Sequence, residues 1–295
     1  MSAASGVIGT VRTWGRMVKF SHSVFALPFA LTGAALAAAT YGISFRQVGW
    51  VVVAMAAARN AAMGFNRLAD QAIDARNPRT EGRELPRGAL SRGAVWTFTA
   101  ALAALFVIAA FQLNALCGAL SPLALAIVFF YSFTKRFTWA SHLALGLSLA
   151  IAPVGGWLAI AGRFGPVPFW LAAAVFFWVA GFDTIYACQD EAVDRREGLF
   201  SIPARFGVRR ALVLARAFHV LALVAMAGVG FAAALHGVYF LGLVVVAGVL
   251  VVEHRLVQAD DLSKVDVVFL NANGLISLLY FGVVLAALAL GKASP

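Results

Sequence analysis

Residues 47–74 read QVGWVVVAMAAARNAAMGFNRLADQAID. Between Gln47 and Asn66 the only charged side chain is Arg59, and the length suits the roughly 20 residues that an α-helix needs to cross a bilayer. The stretch then ends in Asn66, Asp70 and Asp74, spaced i, i+4, i+8, a drift of only about 40° per step, so one helix face carries all three. A second apolar stretch ends the same way. Residues 183–194 read DTIYACQDEAVD, and Asp183, Asp190 and Asp194, spaced i, i+7, i+11, fall within about 40° of one another on a continuous helix. Carboxylates at the border of a membrane span are costly without a partner. Two such stripes suggest a task, the holding of divalent metal ions and, through them, a phosphate.

The rest of the chain supports the membrane reading. Of 295 residues 62% are hydrophobic and 12% charged, and the mean hydropathy is +0.88. A soluble domain carries roughly twice that charge fraction. The pattern predicts an all-α integral membrane protein, one transmembrane domain over 1–295, with nine spans near 22–41, 47–66, 93–112, 115–133, 140–161, 167–187, 210–232, 236–254 and 269–290. The two Asp motifs then stand at the ends of spans two and six. Of 23 Lys and Arg, 19 lie in the N-terminal segment and the stretches joining spans two to three, four to five, six to seven and eight to nine, counting Arg210 and Arg216 at the start of span seven. Only Arg46, Arg163 and Lys292 lie on the other side. The asymmetry places the N-terminus and both Asp motifs in the cytoplasm and the C-terminus outside, in a cytoplasmic (inner) membrane. It also accounts for the net charge of +10 without nucleic acid. Arg12, Arg16 and Lys19 precede an apolar run with no small-residue cleavage site, which reads as a retained first helix. Cys117 and Cys188 form no CxxC and imply neither a disulfide framework nor a zinc site.

A faint repeat relates the two motifs. Asp70-Gln-Ala-Ile-Asp74-Ala-Arg-Asn aligns with Asp190-Glu-Ala-Val-Asp194-Arg-Arg-Glu, dividing the domain into pseudo-repeated parts of roughly 15–135 and 136–290. Mg²⁺ suits such sites because it prefers oxygen ligands and is shared between one or two carboxylates and substrate phosphates, with Asn66 adding an amide oxygen. The alternative is a pair of solvated helix ends in which Arg67, Arg76, Arg195 and Arg196 supply ordinary Asp–Arg pairs. Lys19, Lys135 and Arg136 fall on the same side and suit a phosphate or simple topology marking. Arg59 lies seven residues before Asn66, about two turns, on the same face, where a charged group inside a span seeks a functional or ion-pair partner.

These residues carry a resemblance. Asn-x₃-Asp-x₃-Asp followed by Asp-x₆-Asp-x₃-Asp in a nine-span chain resembles the UbiA superfamily of intramembrane aromatic prenyltransferases, closest to its 4-hydroxybenzoate polyprenyltransferase branch. Arg83-Glu84-Leu85-Pro86-Arg87-Gly88, Tyr131-Ser132-Phe133-Thr134-Lys135-Arg136 and Tyr186-Ala187-Cys188-Gln189-Asp190 match as well, so the likeness spans essentially the whole chain. It implies Mg²⁺-dependent transfer of a polyprenyl group from a polyprenyl diphosphate to a ring carbon of a small aromatic acid. Asn66, Asp70 and Asp74 would hold one metal, and Asp190 and Asp194 the other. Lys19, Arg67, Lys135 and Arg136 would bind the diphosphate. Asp183 would orient the acceptor or help remove its proton. Tyr131, Ser132, Tyr186 and Gln189 would line the substrates, with Arg59 facing the acceptor's carboxylate. The first span departs from the ubiquinone-pathway pattern: Lys19-Phe20-Ser21-His22-Ser23-Val24-Phe25-Ala26-Leu27-Pro28-Phe29 stands where those enzymes carry an Asp-Lys-Pro-like sequence. It resembles a sister group that serves menaquinone synthesis, which leaves 4-hydroxybenzoate and a dihydroxynaphthoate both open as acceptor.

Loops 75–92 and 195–209, punctuated by Pro78, Gly82, Pro86, Gly88, Gly198, Pro203 and Gly207, read as caps that exclude water or as plain connectors. The five histidines form no metal-spacing cluster and read as helix-end residues. Two other classes compete. An ion-coupled secondary transporter would place its carboxylates near the midplane, and a CDP-alcohol phosphotransferase would need a single Asp-Gly-x₂-Ala-Arg-containing motif that is absent here.

Overall fold

In a computed structural model, the described residues are 9, 12–19 and 23–291, the side chains of 23–25 excepted. Phe20, Ser21, His22 and Lys292 lie outside them. Residues 12–17 are helical. The long helices are α1 (Ser23–Tyr41), α2 (Phe45–Asp74), α3 (Arg92–Leu113), α4 (Ala115–Thr134), α5 (Ser141–Ala161) and α6 (Pro166–Ala187). After a 3₁₀ turn, Cys188–Asp190, come the short α7 (Glu191–Arg196) and α8 (Ile202–Phe206), then α9 (Val208–Ala232), α10 (Val238–Leu256) and α11 (Val265–Ala289). Eight helices among the described residues are long and apolar enough to cross a membrane, and α1 contributes a shorter apolar segment, Ala26–Tyr41. The only β pairing among them is an isolated bridge between Gln258 and Asp261. The protein is an all-helical, multi-pass membrane protein.

Local chemistry starts these helices where the pattern predicts. α2 opens on a reciprocal capping box: Gln47 N–H donates to Ser44 Oγ at 3.3 Å while Ser44 N–H donates to Gln47 Oε1 at 3.0 Å. Asn114 caps α4 by accepting from Cys117 N–H at 2.9 Å, and its amide also donates to the Leu158 carbonyl of α5 at 2.8 Å. Gly162 closes α5 in the left-handed region with φ 63°, a conformation without penalty only for glycine.

Packing sets α6 at the centre, against α5 and α9, with α1 and α11 also in contact. Its Trp178 is fully buried, 5.0 Å from Phe29 of α1, which lies 5.5 Å from Tyr280 of α11. α1 and α5 approach unusually closely. A Cβ on Gly33 would strike the Pro153 carbonyl and one on Gly156 the Ala30 carbonyl, so each glycine admits the other helix's backbone.

The second Asp stripe departs from expectation. α6 ends at Ala187 and the chain passes through the 3₁₀ turn, so Asp183 stands on α6 while Asp190 ends the turn and Asp194 belongs to α7. The three carboxylates therefore do not lie on one continuous α-helix, because the tighter turn interrupts it between them.

Candidate active site

The first motif lies at the buried end of α2. Asp70 and Asp74 are 2% and 3% exposed. A buried carboxylate without a partner is destabilising by several kcal/mol, and each has cationic partners. Asp70 accepts from Lys135 Nζ at 2.7 Å and from Arg136 at 3.2 Å, both at the end of α4. Asn66 donates to the same Asp70 carboxylate at 3.0 Å and lies 3.4 Å from the hydroxyl of buried Ser132. Asp74 Oδ1 accepts from Arg83 at 2.7 Å, while its Oδ2 is buried with no partner among the described residues.

The second motif is met by the loop that follows α2. Asp190 accepts from Asn77 at 2.9 Å and makes a fork-like pair with Arg79, whose third nitrogen donates to Tyr186 OH at 2.8 Å. Burial works against the Arg79 charge, but Asp190, with Tyr186 and Asp266, overcomes it and raises its pKa. Asp194 has Ser201, Asp190, Lys135 and His142 as neighbours. Arg76 pairs with Glu197, and Arg196 donates to the Arg76 carbonyl at 3.4 Å. The loops 75–91 and 197–201 therefore meet over the motifs, and the two halves of the molecule join at one end of the bundle.

The cations are redistributed relative to the sequence reading. The Asp–Arg pairs come from Arg79 and Arg83, with Lys135 and Arg136, whereas Arg76, Arg195 and Arg196 pair with Glu197 and Glu191. Arg67, though its charge lies near Asp74 and Lys19, pairs with no motif carboxylate among the described residues. Arg67 is buried and donates to the Met17 carbonyl at 3.3 Å, and Arg195 pairs with Glu191 at 2.8 Å. Arg136 is a brace as much as a charge, donating to the Ser132 and Ala69 carbonyls at 2.8 and 2.6 Å. Gln189 donates its amide to Asp266, 3.4 Å away, an acid that also neighbours Lys19 and Arg79. Lys19 lies over the Tyr186 ring, 5.8 Å from its centroid. Burial, reinforced by neighbouring Arg67, Arg83 and Arg79, lowers its pKa to about 8.

Beside this charged end is a cavity of about 530 Å³ walled mainly by α1 to α6. Its walls are mostly Ala, Leu, Ile, Val and Met, and its polar lining includes Arg59, Asn66, Tyr131, Ser148 and Asp183. Arg59 donates to the Lys19 carbonyl at 2.7 Å and to Asn60 at 3.1 Å, linking the cavity to the N-terminal segment. Leu123 and Leu147, both in the cavity wall, are 58% and 49% exposed, so the space reaches the outer surface between α4 and α5. Asp183 Oδ2 lies 2.7 Å from His142 Nδ1.

Do these residues suit a divalent metal? Among the described residues no three His, Cys, Asp or Glu are gathered around one point. The donors at the two motifs are all hard oxygens, and Asp74 Oδ2 is a buried, unsatisfied one. The set fits a hard divalent ion that shares its coordination with phosphate oxygens.

An apolar, laterally open cavity that ends in acids and cations defines a membrane-embedded site for a long apolar molecule with an anionic head. The UbiA prenyltransferase family profile matches residues 26–276, and the chain belongs to that family. It is 31% identical over 230 residues to the 4-hydroxybenzoate octaprenyltransferase of Nitrosospira multiformis, covering 77% of this chain and 78% of that one. The enzyme of the same name from Photobacterium profundum is 29% identical, over 78% and 80% of the two chains. Among solved structures, an apo UbiA homolog from Aeropyrum pernix is 33% identical with a TM-score of 0.82, over 90% of this chain and 97% of that one. A UbiA homolog from Archaeoglobus fulgidus bound to GPP and Mg²⁺ shares the fold at 19% identity, with a TM-score of 0.71 over 94% and 99% of the chains.

Sequence reasoning missed Asn77, Arg79 and Arg83 as partners of the motifs, and His142 as partner of Asp183. The Arg residues stand five and nine positions past Asp74 in a Pro- and Gly-rich loop, where no periodicity marks a partner.

Proposed function

We propose that the protein transfers a polyprenyl group from a polyprenyl diphosphate to a ring carbon of 4-hydroxybenzoate, using Mg²⁺, as one domain of nine spans with α1 as the first. The observation that carries this reading is the juxtaposition of the four motif carboxylates and their cations with the apolar cavity that Asp183, Tyr131 and Arg59 line. The relatives' names supply the acceptor. The alternation of basic residues supports an inner-membrane location with the N-terminus and the site cytoplasmic and the C-terminus outside. The aligned Asp motifs on α2 and after α6 support two pseudo-repeated parts meeting at the site.

Asn66, Asp70 and Asp74 would hold one metal and Asp190 and Asp194 the other; bound there, Mg²⁺ neutralises charge on the departing diphosphate. Lys19, Arg67, Arg79, Arg83 and Lys135 bind the oxygens the metal leaves free, by charge-assisted hydrogen bonds that strengthen as the leaving group gains charge. The cavity takes the tail, and the gap between α4 and α5 admits tails longer than its volume. Arg59 faces the acceptor carboxylate, while Tyr131, Ser132 and Tyr186 orient the ring. The allylic C1–O bond breaks with its electron pair leaving on diphosphate, and a ring π pair forms the new C–C bond. Asp183 then takes the ring proton as the C–H pair returns to the ring. Loops 75–91 and 197–201, by covering the site, keep water from capturing the cation.

The test is an assay of purified protein with Mg²⁺, farnesyl diphosphate and one acceptor at a time. C-prenylated 4-hydroxybenzoate is the expected product. Product from a dihydroxynaphthoate alone would keep the reaction and reassign the acceptor, and no prenylated aromatic from folded protein would overturn the reading.

A further inference from the structure

We propose that His142 is a positioning residue of this transferase: it orients Asp183 and couples that orientation to the docking of the strap formed by residues 197–201. The inference rests on the prenyl-transfer reading for its consequence, though not for its geometry.

His142 is the second residue of α5, and its imidazole is only 4% exposed. Both ring nitrogens are engaged. Ile202 N–H, where the strap enters α8, donates to Nε2 at 3.2 Å. A nitrogen that accepts a backbone N–H carries no proton, so the proton of the neutral ring is on Nδ1. Nδ1–H accordingly donates to Asp183 Oδ2, 2.7 Å away. Among the described residues Asp183 Oδ1 takes no hydrogen bond, and Asp183 lines the cavity. One carboxylate oxygen is anchored and the other is left for the ligand. The arrangement follows the logic of a carboxylate, an imidazole and a backbone group in series, where the outer members choose the tautomer and the rotamer of the inner one.

The strap is held in register by its neighbours. Phe200 N–H donates to the Lys135 carbonyl at 2.7 Å, Ser141 Oγ lies 3.4 Å from the Phe200 carbonyl, and Ile202 N–H reaches His142. Lys135 is the residue whose ammonium holds Asp70. The strap and the first residue of α8 thus touch the residue that serves the first motif and the residue that orients Asp183. When the strap lifts, Nε2 loses its donor, and the ring is then held from the Asp183 side alone. The anchor on Asp183 loosens at the moment the site opens to water, so the carboxylate is fully aligned only under the closed strap. His142 keeps its own proton throughout and transfers none.

Two polar substitutions separate the two contacts. In His142→Asn the amide sits where Nδ1 was and can donate to Asp183 but does not reach Ile202. In His142→Gln the amide sits where Nε2 was and can meet Ile202 N–H but not Asp183. Two readouts follow. The first is steady-state prenyl transfer. The second is the rate of tryptic cleavage after Arg195 and Arg196, which flank the strap and whose side chains are 55% and 61% exposed. His142→Asn, which keeps a donor to Asp183 but loosens the strap, is expected to lose kcat by about threefold, less than His142→Gln, and to be cleaved faster. His142→Gln is expected to lose kcat by about tenfold or more, since misplacing a reacting group by about 1 Å costs up to about 100-fold, while its cleavage rate stays at the wild-type value. KM for the polyprenyl diphosphate is expected to stay unchanged in both. Equal kcat in the two variants, or strap cleavage that does not distinguish them, overturns the proposal. The cleavage readout needs no substrate. A wild type that makes no prenylated aromatic would count against the proposed reaction, while the cleavage pattern would still decide the tie between His142 and the strap.

Discussion

Lys19 is a residue of the site whose charge is drawn towards the neutral range. Its pKa of about 8, lowered by burial and by the surrounding Arg67, Arg83 and Arg79, gives an ammonium below pH 8 and a neutral amine above it. kcat/KM for the polyprenyl diphosphate should therefore fall as pH rises through 8 in the wild type. In Lys19→Arg the guanidinium keeps its charge, and the profile should stay flat across that window. An identical alkaline limb in both proteins would show that another group titrates. Arg79 makes a sharper case, because it links the loop after α2 to Asp190 and Tyr186. Arg79→Gln should lower kcat/KM by about 100-fold, the scale for losing one preorganised donor to a developing anion, and a loss under threefold would remove Arg79 from the site. At this scale the sequence was informative where chemistry and helical spacing coincide, at Asn66, Asp70, Asp74 and Arg59. Asp190 and its Arg79 partner lie 111 residues apart. Their pairing depends on how the helices pack, which no local pattern encodes.

Among the helices, the closest packing is that of α1 on α5. Gly33 and Gly156 each leave room for a backbone carbonyl of the other helix. Gly156→Leu should force the pair apart. Overpacking costs about 1–3 kcal/mol where side chains can yield, and more is expected here because the obstacle is backbone. Thermal unfolding in detergent should shift down by several degrees, with Gly155→Leu, at a position where a Cβ meets open space, as the control. Equal shifts in the two variants would contradict the close crossing. Most helix bounds were legible, since apolar runs and caps are local: the span expected at 115–133 is Ala115–Thr134, and the one at 167–187 is Pro166–Ala187. The continuation of α2 past the apolar run to Asp74 was legible too, in the spacing of Asn66, Asp70 and Asp74. One feature was not. α6 breaks at Cys188–Asp190, which places Asp190 towards Asn77 and Arg79.

The molecule as a whole joins two functions at one end, an apolar cavity for a tail and a charged site for a head. The opening between α4 and α5 runs past Leu147. Leu147→Trp should leave transfer from geranyl diphosphate unchanged and depress transfer from longer polyprenyl diphosphates, as read by product mass; equal effects on all lengths would place the tail elsewhere. The charge asymmetry that implied the membrane orientation was legible in full from the sequence. The meeting of the two motifs was legible only as the faint repeat, because it depends on tertiary contacts made by loops 75–91 and 197–201. The central claim is that both motifs form one site. Its most direct measurement is prenyl transfer to 4-hydroxybenzoate by purified wild type, Asp70→Asn and Asp190→Asn, each with Mg²⁺ and with EDTA. The expected result is product from the wild type with Mg²⁺ only, and none from either variant under either condition. Activity that survives in one of the two variants, or in EDTA, would contradict a single metal-dependent site built from both halves of the chain.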